Sequence, residues 1–412
     1  QARAFFEPPP PSCPLMVLAR LLAAIRHSVP GMASPSLRVA VVGAGSISRE
    51  FATRHFGPGT GTLVASIVDN IEARAQALAV DVGSVQAGAA VVGDNAYRSR
   101  ASQARGSPVP CYTELSQEAL AGCDCVYIGT PPSSHASLVC RALGAGKHVI
   151  LEKPLAATAA DADEIVSVAE AALHGQGLHT SINIGMRWNA ALHRFRSDLV
   201  AGSLGTLNRG SIRLHFRTWP REWQVQPWVA GRAEGGPLRE VGTHFLFGLH
   251  ELFGHGCVAR VRAEVRYPDG PEGSASESEV DGVLELAPGG PFALPAPLQL
   301  GLSVRTAGEG GLVDRGRDVY ELEVQGDKGS LCLFDFTSLA DGGGRILVDN
   351  APYGRRECIE RLVEAARGSA GSGAGSGAGS GALISPREAR NAQRVLDAVP
   401  ASRGCWLDVS YA

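Results

Sequence analysis

The stretch Leu-Arg-Val-Ala-Val-Val-Gly-Ala-Gly-Ser-Ile-Ser, residues 37–48, decides the fold. Its first six residues are rich in Val and Ala without polar alternation, the pattern of a strand buried on both faces in a parallel sheet. Gly43 and Gly45 follow at once, and a helix-like stretch runs on through Phe51 and His55. Strand, glycine turn and helix in this order aim the N–H groups of a helix N-terminus at a dinucleotide pyrophosphate. Gly43 serves the tight turn and Gly45 the close approach. The third glycine of that fingerprint is Ser48, which crowds helix against strand but removes no phosphate donor. Glycine turns in unrelated α/β proteins look the same, so a second observation is needed. The next strand, Thr62 to Asp69, ends on an acid at about the place the fingerprint asks for one. A carboxylate there accepts the adenosine ribose hydroxyls and repels a 2′-phosphate, so NAD is the expected cofactor, with NADP as the alternative. Asn70 and Ile71 stand where an NADP-preferring protein more often has Arg or Ser. Asp69 would serve equally as the cap of a helix over 71–80.

Outward from this motif the alternation continues. Residues 82–109 lack periodicity and read as a long surface loop; Cys123 to Gly129 is a strand with Cys123 and Cys125 on one face. A helix over Ser134 to Ala145 ends at Gly146, and His148 to Leu151 is a further strand. Strands alternating with helices predict an α/β Rossmann domain, a doubly wound parallel sheet, over 37–157. Beyond Thr158 the pattern changes. Helices are expected at 159–173 and 188–201, then long alternating strands at Leu207–Phe216, Val258–Tyr267, Glu279–Leu286, Leu298–Arg305 and Val319–Gln325. Their period of two predicts an α+β domain over 158–412 with a large, open, mostly antiparallel sheet. Residues 368–382 repeat Gly, Ser and Ala and read as a linker between helical segments 356–367 and 386–398.

The 412 residues carry 51 glycines and 25 prolines, and seven of those glycines, from Gly368 to Gly381, belong to the linker rather than to a packed core. A net charge of -3 offers no footprint for nucleic acid or an anionic membrane. No apolar run approaches the roughly 20 residues that span a bilayer. Nine scattered cysteines suggest reduced thiols and a cytoplasmic location, and no Cys or His pair has the spacing of a metal site. Residues 1–36 stand apart as an extension. Pro8 to Pro11 build no core, and the segment from Met16 is basic without acids, fitting either an organellar transit peptide or sequence upstream of a start at Met32.

Two further runs carry a resemblance. Ile128-Gly-Thr-Pro-Pro-Ser-Ser-His135 leads through Ala145-Gly-Lys-His-Val-Ile-Leu-Glu152-Lys153-Pro154, and Gly235-Gly-Pro-Leu-Arg-Glu240-Val-Gly-Thr-His244 follows. Together they resemble the Gfo/Idh/MocA oxidoreductases, from about residue 37 onward. The resemblance implies a dehydrogenase or reductase moving hydride between nicotinamide and a sugar, polyol or related small hydroxy or carbonyl compound. It also implies a homodimer or dimer of dimers through the second sheet. The family's Glu-Lys-Pro lysine matches Lys153, and its Asp-x-Gly-x-His segment matches Glu240 to His244, with Glu in place of Asp. A further acid often found three residues after the histidine is Phe247 here. Expected cofactor contacts are Gly43, Gly45, Ser46, Ile47, Asp69, Thr130, Pro131, His135, Glu152 and Lys153. Some members of the family are regulators that bind NAD(P) without turnover, which is the competing reading.

The residue types suit alcohol oxidation. A group titrating near neutrality is the natural base, so His244 is expected to take the hydroxyl proton. Glu240 is expected to orient its imidazole, and Lys153 to hold negative charge on the substrate oxygen. Each has an ordinary alternative: a surface lysine, a core histidine, and a glutamate paired with Arg239 or Arg232. Asn183, Arg187 and Trp188 are placed on the substrate side, where Arg187 could equally pair within the fold. Trp219 belongs to a cluster with Trp223, Trp228, Arg217 and Arg221 that either covers the substrate or anchors a loop.

Overall fold

A computed structural model of the chain describes residues 36–86, 109–271, 273–292, 294–306, 317–368 and 382–411. The first 35 residues, positions 87–108 of the expected loop and positions 369–381 of the linker lie outside that description, with what was expected of them.

Six strands form the first sheet: β1 (Leu37–Val42), β2 (Thr62–Val68), β3 (Cys111–Tyr112), β4 (Cys125–Ile128), β5 (His148–Glu152) and β6 (Thr180–Asn183). Their order is β3-β2-β1-β4-β5-β6 and every pairing is parallel. The chain runs outward in one direction from β1 to β3 and in the other from β4 to β6. The crevice beyond the C-terminal ends of β1 and β4 is therefore the switch point where such sheets bind ligands. Helices α1 (Ser46–Glu50), α2 (Glu72–Gln86), α3 (Gln117–Ala121), α4 (His135–Gly144) and α5 (Ala159–Gln176) connect the strands. Val39, Val41, Cys125, Tyr127 and Ile150 share one core with α2; Ala40, Val42, Val126, Ile128 and Leu151 face α4 and α5 in the other. Each fully buried Val, Leu or Ile contributes about 1.5–3 kcal/mol, so the unbroken apolar strands fit a sheet covered on both faces.

Several boundaries differ from expectation for local reasons. The first sheet does not end near residue 157: α5 is a crossover helix and β6 returns to the sheet at 180–183. Thr158 caps α5 by accepting from the Asp161 N–H at 3.1 Å, and Gly177 stops it at φ 69°. Helix α2 continues to Gln86, into the segment expected to be loop. The helix expected from 188 begins at Ala190, because Asn189 Oδ1 accepts the N–H groups of Ala191 (2.8 Å) and Leu192 (3.2 Å). Cys123 lies before β4 rather than in it, and packs in the core opposite to that of Cys125.

The second sheet contains β7 (Leu207–His215), β8 (Val258–Arg266), β9 (Glu279–Leu286), β10 (Leu298–Arg305), β11 (Val319–Gly326), β12 (Gly329–Phe334), β13 (Ser338–Asp341), β14 (Ile346–Val348) and β15 (Leu407–Asp408). Their order is β14-β13-β12-β11-β7-β10-β9-β8-β15, antiparallel except for the parallel pair β7–β10. Alternate residues of β10 are buried, as the period of two requires. The second region adds α6 (Ala190–Val200), α7 (Thr243–Phe253), α8 (Arg355–Ala366) and α9 (Pro386–Ser402). Every residue of α7 is buried, whereas α8 lays Ile359, Leu362 and Val363 on the α2 side of the first sheet. The core on the other side is continuous from Leu151 through α7 to Leu302 and Leu322, so one apolar body joins both sheets.

Candidate active site

One cavity of about 950 Å³ opens at the switch point and extends to α7. At its first end lie Gly43, Gly45, Ser46, Ile47 and Asp69, with Thr130 and Pro131 beside them. Gly43 has φ 86° and its absent Cβ would sit 2.7 Å from the Gly129 carbonyl oxygen, so strand and turn require glycine there. Gly45 is different: nothing lies within 4 Å of where its Cβ would be, leaving open room at the start of α1. This bare helix N-terminus fits the close approach of a pyrophosphate. Ser48 is fully buried, and its Oγ donates to the Gly129 carbonyl at 3.4 Å, so the substitution of the third glycine ties helix to sheet. Asp69 Oδ2 accepts from Ala44 N–H at 2.7 Å and Oδ1 from Ile71 N–H at 2.9 Å. The carboxylate thus shapes both flanking turns, and its remaining lone pairs are free for ribose hydroxyls.

The other end carries the titratable groups. Lys153, directly after β5, has its Nζ 2.7 Å from Glu240 Oε2 and donates to the Glu240 carbonyl at 3.1 Å. The Lys153–Pro154 peptide is cis. Glu152 is buried and accepts from Tyr127 Oη at 2.8 Å and Asn183 Nδ2 at 2.5 Å; burial raises its carboxyl pKa above the usual range. His244 faces the same cavity, and its Nδ1 is hydrogen-bonded to Tyr353 Oη at 2.5 Å. Burial, then the charges of Lys153, Arg355 and Arg221, hold the His244 imidazole well below its ordinary pKa.

The expected site set is thus partly redrawn. Glu240 does not orient His244; it pairs with Lys153 instead. Residues four apart share a face in an α-helix, but Leu238–Gly242 is a π turn, which breaks that register. The side chain hydrogen-bonded to the His244 imidazole is that of Tyr353. His135, expected to contact the cofactor, does not line the cavity: fully buried, it bridges the carbonyls of Leu155 (3.1 Å) and Thr130 (2.9 Å), holding the turn that does. Arg187 is no substrate ligand. It is buried against Glu251 (2.5 Å) and Glu388 (2.7 Å), with Phe247 under its guanidinium. Glu251, His255 and Glu388 cluster closely enough to hold a metal ion, but Arg187 already pairs with both carboxylates. Trp188 packs on the core, and Trp219 donates from Nε1 to the Val229 carbonyl at 3.2 Å, so it anchors its loop. Its neighbours Trp223 and Trp228 line the cavity. Glu234 of the same loop accepts from Ser133 N–H at 2.8 Å, fastening it across the cavity mouth to the first domain.

Residues that the sequence reading did not single out complete the wall: Asp335, Phe336, Thr337, Tyr353 and Arg355. Asp335 and Phe336 have φ 49° and 63°, uncommon for side-chain-bearing residues and concentrated at functional sites. No motif surrounds them. Pro352 and Gly354 beside Tyr353 mark only a turn.

Comparison with known proteins bears on the fold. Residues 37–174 match the family described as "Oxidoreductase family, NAD-binding Rossmann fold", Gfo/Idh/MocA. D-apiose dehydrogenase of Paraburkholderia graminis is 36% identical over 140 residues, 34% of this chain and 35% of that enzyme. 1,5-Anhydro-D-fructose reductase of Ensifer adhaerens is 35% identical over 123 residues, 29% of this chain and 35% of that enzyme. A trans-1,2-dihydrobenzene-1,2-diol dehydrogenase of Bos taurus is 28% identical over 222 residues, covering 52% and 62% of the two chains. The chain thus spans under two thirds of the length of these relatives. Among solved structures, an oxidoreductase from Thermotoga maritima superposes with TM-score 0.64 at 15% identity, over 91% of this chain and 98% of that one. The WlbA dehydrogenase from Bordetella pertussis, solved with NADH, gives TM-score 0.65 at 18% identity, over 91% and 99%. Residues 37–174 are thus similar to the NAD-binding Rossmann domain of the Gfo/Idh/MocA oxidoreductases.

Proposed function

We propose that this chain is an NAD-dependent dehydrogenase or reductase that interconverts a hydroxyl and a carbonyl group on a sugar, polyol or related small molecule. One observation carries the reading: the cavity that begins at the Gly43–Gly45 turn ends on Lys153, Glu240 and His244. Gly43, Gly45, Ser46, Ile47 and Asp69 would hold the dinucleotide, and Asp69 favours NAD over NADP because a 2′-phosphate beside its carboxylate is repelled. A bound nicotinamide supplies the hydride acceptor or donor.

The protein's own groups handle the proton and the charge. With Nδ1–H donated to Tyr353 Oη, His244 presents Nε2 to take the substrate hydroxyl proton, and returns it in reduction. Lys153 donates to the substrate oxygen and stabilises charge developing there, while Glu240 fixes the ammonium in place. Apolar lining from Val241 and Phe336 limits water at this end. The names of the matched relatives, a sugar dehydrogenase and a sugar reductase among them, support the substrate class.

Purified protein should quench its tryptophan fluorescence on NADH binding and produce or consume the reduced-nicotinamide absorbance in a screen of hydroxy compounds. Lys153→Ala and His244→Ala should each lower kcat by about 10²–10⁴-fold while NADH still binds. Full turnover by Lys153→Ala would remove the mechanism, and NADH binding with no turnover on any compound would favour a nucleotide-sensing regulator.

A further inference from the structure

The cationic groups at the reactive end are not all matched by anions. Lys153 has Glu240, and Arg355 has Glu50. Arg221 lines the same end and has no described carboxylate within ion-pair distance. Its Nε donates to Gln224 Oε1 at 3.0 Å, and its guanidinium lies over the rings of Trp223 (4.6 Å), Trp219 (5.7 Å) and Phe216 (5.8 Å). Aromatic faces hold a guanidinium in place without neutralising it. Asp318 and Glu240 act on it only at longer range.

Arg221 is tied to the catalytic pair. Gln224, which accepts from Arg221, donates through Nε2 to Glu240 Oε1 at 3.4 Å, and Glu240 Oε2 meets Lys153. Two side chains, Gln224 and Glu240, therefore link the guanidinium to Lys153, the group that would hold the reacting oxygen. A planar, permanently charged fork with two N–H edges matches a carboxylate in a bidentate pair. In the same cavity, Asp335 and Thr337 offer an acceptor and a hydroxyl to substrate hydroxyl groups, and Phe336 offers an apolar face.

We infer that Arg221 receives a carboxylate of the substrate, so that the compound turned over is a polyhydroxy acid, such as an aldonic or uronic acid, rather than a neutral sugar. The inference rests on the dehydrogenase reading and narrows it. The carboxylate would be a spectator: nicotinamide, when bound, would take the carbinol hydrogen as hydride, while His244 would take the hydroxyl proton and a C=O bond would form at that carbon.

The test pairs each acid with its neutral counterpart on the full chain: D-gluconate against D-glucitol, and D-galacturonate against D-galactose, each with NAD. In parallel, D-gluconate is titrated calorimetrically into the NADH complex, which reads the anion site without turnover. Expected results are about 100-fold higher kcat/KM for acids and a similar loss in Arg221→Gln, carried mainly by KM. Arg221→Lys should recover part of it, and NADH affinity should stay within about twofold. Calorimetric binding of gluconate should vanish in Arg221→Gln. Neutral compounds used as well as acids, or acids unaffected by Arg221→Gln, would overturn the inference and leave the dehydrogenase intact. Weaker NADH binding in Arg221→Gln would overturn it by assigning the guanidinium to the cofactor phosphates. Gluconate binding lost in Arg221→Gln, with no turnover of any compound, would uphold the anion site and count against the dehydrogenase.

Discussion

Tyr353 reaches His244 across 109 residues of sequence, and two glycines make room for it. A Cβ on Gly185 would strike the Tyr353 ring, and Gly354 turns the chain behind it at φ 93°. Burial raises the pKa of the phenol, so it stays protonated and can only exchange hydrogen bonds with the imidazole. Tyr353→Phe should therefore lower kcat by about 10-fold or more without weakening NADH binding, separable by steady-state kinetics and fluorescence titration. Because burial and three cations depress the His244 pKa, the imidazole remains neutral through the region where histidine usually charges. The acid limb of kcat/KM should lie well below pH 6.5, and a limb at or above the ordinary histidine value would contradict the assignment. The same depression sets a stability slope. The unfolded chain takes up a proton below pH 6.5 that the folded chain refuses, so this contribution is complete above pH 6.5 and is lost as pH falls.

At the scale of elements, the π turn at Leu238–Gly242 separates two roles that a regular helix would have merged. Its start is held from outside: Glu277 Oε1 accepts from Leu238 N–H at 2.8 Å, and burial pushes the Glu277 carboxyl up to about 7. Between its unfolded value of 4.5 and about 7 the folded state binds the extra proton, so stability is greatest at low pH and falls as pH rises through this window. Arg239 and Arg232 offset only part of the cost. Glu277→Gln keeps an acceptor for Leu238 and removes the charge. It should be more stable than the parent by about 1–2 kcal/mol at pH 8 and near parity at pH 5, read from urea midpoints. Elements of this kind were the hardest to read in sequence. The strands were legible because burial on both faces writes unbroken Val and Ile, and burial on one face writes alternation. The glycine turn was legible because its geometry is local, whereas Lys153 and His244 stood out only through the motifs that carry the family resemblance, and the structure places both on one cavity. Arg187 misled because an arginine in a buried ion pair looks the same in sequence as one facing a ligand. Asp335 and Tyr353 were invisible because only tertiary packing gives them a purpose.

Across the whole molecule, the two sheets share one core, and α9 belongs to both. It packs Ala392, Val395 and Val399 into that core, while Arg390 and Arg387 pair with Asp163 and Glu170 on α5. Gln393 does most locally: its Oε1 accepts from Ala156 N–H and its Nε2 donates to the Ala156 carbonyl, both at 3.2 Å. Gln393→Ala strands both backbone groups in a buried place and should cost about 2–4 kcal/mol. Calorimetry should show one transition moved down intact, because a shared core leaves neither sheet able to melt alone; two separate transitions would contradict this. The Ile384 carbonyl, just before α9, accepts from Ile182 N–H at 2.9 Å on β6, the outer strand of the first sheet. That strand leaves the ribosome about two hundred residues before its partner does. The nucleotide-binding half must therefore wait, with an open edge, until the second half has been made, and a nascent chain halted before residue 384 would present that edge to chaperones and to other copies of itself.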